Sequence, residues 1–214
     1  MDLLKRNNVL DVVKRFNPEA IVHCAAYTNV ARAEKEKERC WSVNVEGTRN
    51  ILQASKLLPS LHFTFISTAC VFRGDRGNYT EMDLPYPKNF YGLTKLVGEI
   101  LVQNNGLENW LIARTNFVER GSWPYAKAFV NRWGTYLYAD QVAEYVLKLV
   151  NEEVTGIVHI CGENKISMFE LARKTSPNVK PLTLEEYYSE NPDAVALTQD
   201  MSLETVRIKP YKLK

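Results

Sequence analysis

The chain has 214 residues, 45% of them hydrophobic and 24% charged, with a formal net charge of +2. That composition suits one globular domain with a sizeable core, and the near-neutral, dispersed charge gives no footing for nucleic acid or an anionic membrane. No apolar run approaches the roughly 20 residues of a membrane span, and the opening "MDLLKRNNVLDVVKRF" is too charged for a signal peptide.

In chain order, an opening helix leads into the apolar run "AIVHCAA" (20–26). Next, "CWSVNVEGTRNILQASKLL" carries Val43, Ile51, Leu52 and Leu58 on one broad helical stripe. A second apolar run, "HFTFISTACVF" (62–72), precedes the helical "YGLTKLVGEILVQNN", with Leu93, Leu96, Val97, Ile100 and Leu101 on its stripe. The third run is "WLIARTNFV" (110–118). Residues 117–138 follow, rich in aromatics and without a clear period. A helix, "ADQVAEYVLKLVNEE", leads to a fourth run, "TGIVHICG" (155–162), and then come one short helix, "SMFELARKT", and a proline-punctuated tail. Apolar runs without clean alternation predict strands covered on both faces. Strand and helix in this rhythm predict the α/β class with a parallel sheet.

Cys24, Cys40, Cys70 and Cys161 stand alone, with no CxxC pair, so neither a zinc site nor a disulfide framework is signalled. Reduced thiols in a cytoplasmic protein are expected. His23, His62 and His159 lie in or beside apolar runs and read as structural residues, so no metal is expected.

In open parallel sheets ligands gather at the carboxyl ends of the strands. The loops there read "AAYTNV", "STACVFRG" and "RTNFVE". Ser67 and Thr68 end the second run, and Tyr91 lies one helical turn before Lys95. An ammonium beside a phenol lowers the phenol's pKa. With a hydroxyl holding a carbonyl, such a phenol can protonate its oxygen while hydride arrives at carbon. No side chain supplies hydride, so a cofactor is implied. A Tyr-x-x-x-Lys spacing alone is common; its position after a Ser-Thr strand end gives it weight.

The segments "NPEAIVHCAAYTNVARAE", "NVEGTRNI", "FISTACVFRGDRGNYTEMD" and "PKNFYGLTKLVGE" together resemble consecutive motifs of the extended short-chain dehydrogenases/reductases, in the branch of the dTDP-4-dehydrorhamnose reductases. The resemblance spans residues 9–162, with an echo in "DMSLETVRIKP". It implies a Rossmann-like sheet over residues 1–162, with 117–138 as a substrate-side insertion and 163–214 as a small substrate-side packing region. It also implies catalytic roles for Thr68, Tyr91 and Lys95. Ala25, Ala26, Tyr27, Ser67, Thr115 and Asn116 would join Tyr91 and Lys95 around NADP or NAD, and Asn44 would brace the strands. The implied reaction is reduction of a nucleotide-linked 4-keto sugar. An epimerase or dehydratase of the same family, or a non-catalytic binding or regulatory subunit, are the alternatives.

Two departures stand out. Where the family reads Ser-Thr-Asp-Tyr-Val-Phe, residues 67–72 read Ser-Thr-Ala-Cys-Val-Phe, so Ala69 and Cys70 remove a carboxylate and a phenol from the loop expected to face substrate. Residues 117–138 are shorter than the family's insertion, with Trp123 and Trp133 as candidate pocket walls. The first glycine is Gly47, so no Gly-rich phosphate turn is expected upstream of it, and the family's opening strand and the residue that reads the adenosine ribose are missing from the sequence. The sequence thus reads as N-terminally truncated: a misassigned or trimmed start, a remnant, or a short form whose exposed strand edge pairs with another copy or a partner chain.

Overall fold

Four parallel strands form the central sheet of the computed structural model, which describes residues 1–213. The strands of the chain are β1 (Ala20–His23), β2 (His62–Thr68), β3 (Trp110–Thr115), β4 (Phe117–Val118), β5 (Lys127–Phe129), β6 (Trp133–Gly134), β7 (Leu137–Tyr138), β8 (Gly156–Ile160), β9 (Ile166–Ser167) and β10 (Lys180–Leu182). The helices are α1 (Arg6–Phe16), α2 (Val30–Lys35), α3 (Lys37–Trp41), α4 (Gly47–Ser55), α5 (Phe90–Gln103), α6 (Ala139–Asn151), α7 (Met168–Arg173) and α8 (Leu184–Glu190). The main sheet runs in the order β1-β2-β3-β8, all parallel, with helices on both faces, as the α/β reading predicts.

On one face α1, α4 and α5 bury Val9, Val13, Ile51, Leu52 and Val102 against Phe63 and Phe65 of β2 and Ile112 of β3. On the other, α6 buries Val142, Val146 and Leu149 against Leu111, Ala113, Val158 and Ile160. β2 is therefore covered almost throughout, with only Ile66 half-buried. β1 pairs with β2 alone, and its other side is the sheet edge, where Ala20 is exposed and Ile21 and Val22 are half-buried. No helix among the described residues is long and apolar enough to cross a membrane.

Strands β1, β2 and β3 stop at residues 23, 68 and 115, short of the apolar runs at 26, 72 and 118. At β2 the cause is local. The Thr68 hydroxyl accepts from the Cys70 amide at 3.1 Å and turns Ala69–Val71 into a single 3₁₀ turn. Between α3 and α4 the chain widens into one π turn, Ser42–Glu46. The wider turn keeps Cys40, Asn44 and Thr48, spaced four apart, all buried.

The segment after β3 is drawn into the C-terminal tail by three small pairings. β5 pairs with β10, β6 with β9, and Trp133 bridges Asp200. Asp200 also binds Lys165 and Ser202, and its carboxylate fills the space where a Cβ on Gly77 would stand, 2.3 Å away. Gly77 has φ of +71°, so this turn needs glycine on both counts.

Candidate functional site

A cleft of about 320 Å³ opens at the carboxyl ends of β1, β2 and β3. Ser67, Thr68, Tyr91, Lys95, Thr115, Asn116 and Ala26, seven of the residues singled out from sequence, line it together. Cys24, Thr28, Ile66 and Phe117 complete the lining. Ala25 and Tyr27 do not belong to it. Ala25 is exposed, and the Tyr27 phenol donates to Glu36 at 3.0 Å, between Arg32 and Arg39. Only the Tyr27 backbone serves the region: its amide donates to Asn44 Oδ1 at 2.6 Å.

Helix α5 delivers both Tyr91 and Lys95. It begins at Asn89, whose Oδ1 accepts from the Gly92 amide at 2.8 Å. The Thr94 hydroxyl donates to the Tyr91 carbonyl at 2.8 Å and accepts from Asn44 Nδ2 at 2.8 Å. Asn44 thus braces the loop after β1 against α5. Gly92 lets the helix start close to the turn after β2: a Cβ there would lie 2.2 Å from the Cys70 carbonyl oxygen. Alanine is the better helix former, yet Gly92→Ala is expected to lower stability by about 1–3 kcal/mol through overpacking. A denaturant midpoint at or above that of the unmodified chain would contradict this packing.

The electrostatics differ from the sequence expectation. Burial raises the Tyr91 phenol above its ordinary range, Cys70 and Cys40 push it further, and Thr68 is what pulls it back. Lys95 does not lower it. Its ammonium lies over the Phe65 ring at 3.9 Å, and burial, opposed by Glu99 and Cys24, brings its own pKa down to about 8. Burial is the largest cause of both shifts, and neither group's shift carries a contribution from the other. Beside them His23 is held neutral, at about 3, by burial and then by Lys95. The Thr48 hydroxyl donates to the Asn44 carbonyl at 2.6 Å, so His23 Nε2 is the donor to Thr48 Oγ1 at 3.0 Å.

Several side chains are already engaged. Ser67 Oγ donates to Glu99 at 2.5 Å, and Asn116 Nδ2 donates to the Met201 carbonyl at 2.8 Å. Thr115 is the opposite case: its Oγ1 is buried in the cleft wall with no partner. Ala69 and Cys70 stay out of the cleft. They are buried in the cluster that packs Tyr91, with Cys70 Sγ 3.6 Å from Met201 Sδ. Trp123 lines two adjoining cavities of about 500 and 400 Å³ with Tyr125 and Met168, whereas Trp133 lines neither and is held in β6.

Sequence reading missed one constellation beneath the cleft. Glu99, fully buried, receives Ser67 and a two-pronged contact from buried Arg114, at 3.0 and 2.7 Å. The signal was a Lys95–Glu99 pair one turn apart, on the face of α5 that the structure buries with Tyr91, Thr94, Gly98 and Val102; the stripe of Leu93, Leu96, Val97, Ile100 and Leu101 expected to face the core is instead half-buried or exposed.

Comparison with known proteins adds the following. Residues 1–133 match the family model described as RmlD substrate binding domain. The chain is 28% identical over 196 residues to dTDP-4-keto-6-deoxy-D-glucose reductase of Streptomyces niveus, covering 82% of this chain and 66% of that protein. It is 35% identical over 107 residues to methionine adenosyltransferase 2 subunit beta of Pongo abelii, covering 50% of this chain and 32% of that one. The crystal structure of dTDP-4-dehydrorhamnose reductase from Bacillus anthracis in complex with NADP superposes with a TM-score of 0.83 at 29% identity, covering 95% of this chain and 78% of that one. The chain thus matches 66% of the length of the first of these curated relatives and 32% of the second.

Proposed function

Because the chain belongs to the RmlD substrate binding domain family, we propose that it is an NAD(P)-dependent reductase of the short-chain dehydrogenase/reductase type, acting on a nucleotide-linked 4-keto sugar. The observation that carries this reading is the convergence of Thr68, Tyr91 and Lys95 with an unpartnered Thr115 hydroxyl on one buried wall. An orphaned buried hydroxyl is a standing deficit that a polar ligand would relieve. The residues fit the nicotinamide–ribose end of the cofactor: the Lys95 ammonium offers donors to ribose hydroxyls, and Thr115 offers one to the carboxamide side. When bound, the cofactor supplies hydride. NADP is the form present in the similar Bacillus anthracis structure.

The chain's own residues then handle the carbonyl oxygen. The raised phenol keeps Tyr91 protonated at neutral pH, ready to give its proton at Oη as negative charge builds on the substrate oxygen. Thr68 hydrogen-bonds the same oxygen and steadies the phenol. Half-buried Ile66 and the exposed Phe117 ring, both on the cleft lining, narrow the water's access. The cavities beside Trp123 would take the rest of the substrate.

Purified chain mixed with NADPH should quench or blue-shift the cofactor's fluorescence. Tyr91→Phe should leave that signal and reduce turnover about 100- to 10,000-fold. Absence of any fluorescence change at millimolar NADPH would remove catalysis from this polypeptide. A second reading, a non-catalytic subunit, draws on the relative named as a subunit and on the unpaired edge of β1. It requires Tyr91→Phe to change nothing and a partner to be recovered with the chain.

A further inference from the structure

We propose that Glu99 is the positioning residue of this cleft: one buried carboxylate ties the ends of β2 and β3 to α5 and so fixes Thr68, Thr115, Tyr91 and Lys95 relative to one another. This rests on the reductase reading for its functional consequence but not for its geometry.

Glu99 accepts from Ser67 at 2.5 Å on β2 and from Arg114 at 3.0 and 2.7 Å on β3. Ser67 and Arg114 are themselves register partners, as are the next pair along, Thr68 and Thr115. Each residue gripped by the carboxylate is therefore the chain neighbour of a residue in the cleft wall. On α5, Glu99 lies one turn after Lys95, which lies one turn after Tyr91. The Arg114 guanidinium also stands 5.0 Å from the Phe72 ring, so the grip extends to the turn after β2. Among the described residues no other ion pair is as buried: Arg114 is 2% and Glu99 0% exposed, while the next, Lys165 with Asp200, is 38% and 9%. A surface pair could not hold three elements in this way; charge-assisted bonds in a dry interior can.

Its negative charge also reaches Lys95. The titratable groups facing that ammonium are Glu99 from α5 and Cys24 and His23 from the end of β1. Of these Glu99 does most to favour the charged lysine, with Cys24 after it.

The test separates positioning from mere support. Replacing both charges, Glu99→Met with Arg114→Met, removes the tether but leaves no unpaired buried ion, so the fold is retained. An NMR titration of Lys95 in labelled protein reads the site directly. The expected result is a Lys95 midpoint lowered by about one unit, with NADPH binding about tenfold weaker by fluorescence. A folded double variant whose Lys95 midpoint equals that of the unmodified chain overturns the proposal. Should the double variant not fold, Glu99→Gln with the same titration decides on the same criterion. If the unmodified chain itself ignores NADPH, the reductase reading falls, and the Lys95 midpoint alone judges Glu99.

Discussion

Lys95→Met is expected to stabilise the fold by about 1–3 kcal/mol at pH 7 while abolishing NADPH binding. Lys95 is 4% exposed, and burial draws its pKa from 10.5 to about 8. At about 1.4 kcal/mol per unit, keeping the ammonium inside costs on the order of 3 kcal/mol. The contact with the Phe65 ring offsets about 1 kcal/mol of this, and methionine retains the packing of the stem. The sign follows from linkage. A lowered folded pKa means that the unfolded chain binds the proton more readily. The penalty is therefore complete below about pH 8 and relieved as pH climbs towards 10.5. Denaturant midpoints of the two proteins should differ most near neutrality and converge as pH rises through that window. A variant less stable than the parent at pH 7 would mean that the lysine is not a strained charge in the folded state. Gain of stability with loss of function is the pattern expected where a site stores an unfavourable group.

That strain was invisible in the sequence, although the residue was not. The four long apolar runs and three long helices were readable because parallel strands and amphipathic helices carry strong periodic signals. The Tyr91, Lys95 and Thr68 convergence was readable because the strand-end rule places them. What the letters could not tell was which of two effects dominates between neighbours. "YGLTK" suggested a lysine that sharpens a tyrosine, but burial dominates the shift of each and neither acts on the other. Likewise Ala69 and Cys70 looked like lost substrate contacts, and they are packing atoms beneath Tyr91. Short elements fared worst for a different reason. β4, β5, β6, β7, β9 and β10 have two or three residues each and exist only through tertiary pairing. Helix α8 could have been found: Thr183 and Glu186 form a capping box three residues apart, as Ser167 and Glu170 do for α7.

Arg114→Met alone should be the most damaging substitution outside the cleft, lowering stability by about 3–5 kcal/mol. It leaves the Glu99 carboxylate fully buried with only the Ser67 hydroxyl to satisfy it. Glu99→Met alone should fall in the same range, because Arg114 would then be a buried cation whose Nη1 already has no partner. Methionine in both positions should recover most of the loss, since the desolvation of two ions disappears together with their attraction. Chemical denaturation of the four proteins closes a double-mutant cycle, and a coupling of about 2 kcal/mol or more is expected for groups in direct contact. Near-additive losses would mean that the two charges stabilise the fold separately, and that β2, β3 and α5 are held in place by apolar packing alone. Recovery of stability in the double variant without recovery of the cleft's chemistry would instead separate the two consequences of one ion pair: the fold tolerates its removal, and the alignment of Thr68 and Thr115 with Lys95 does not.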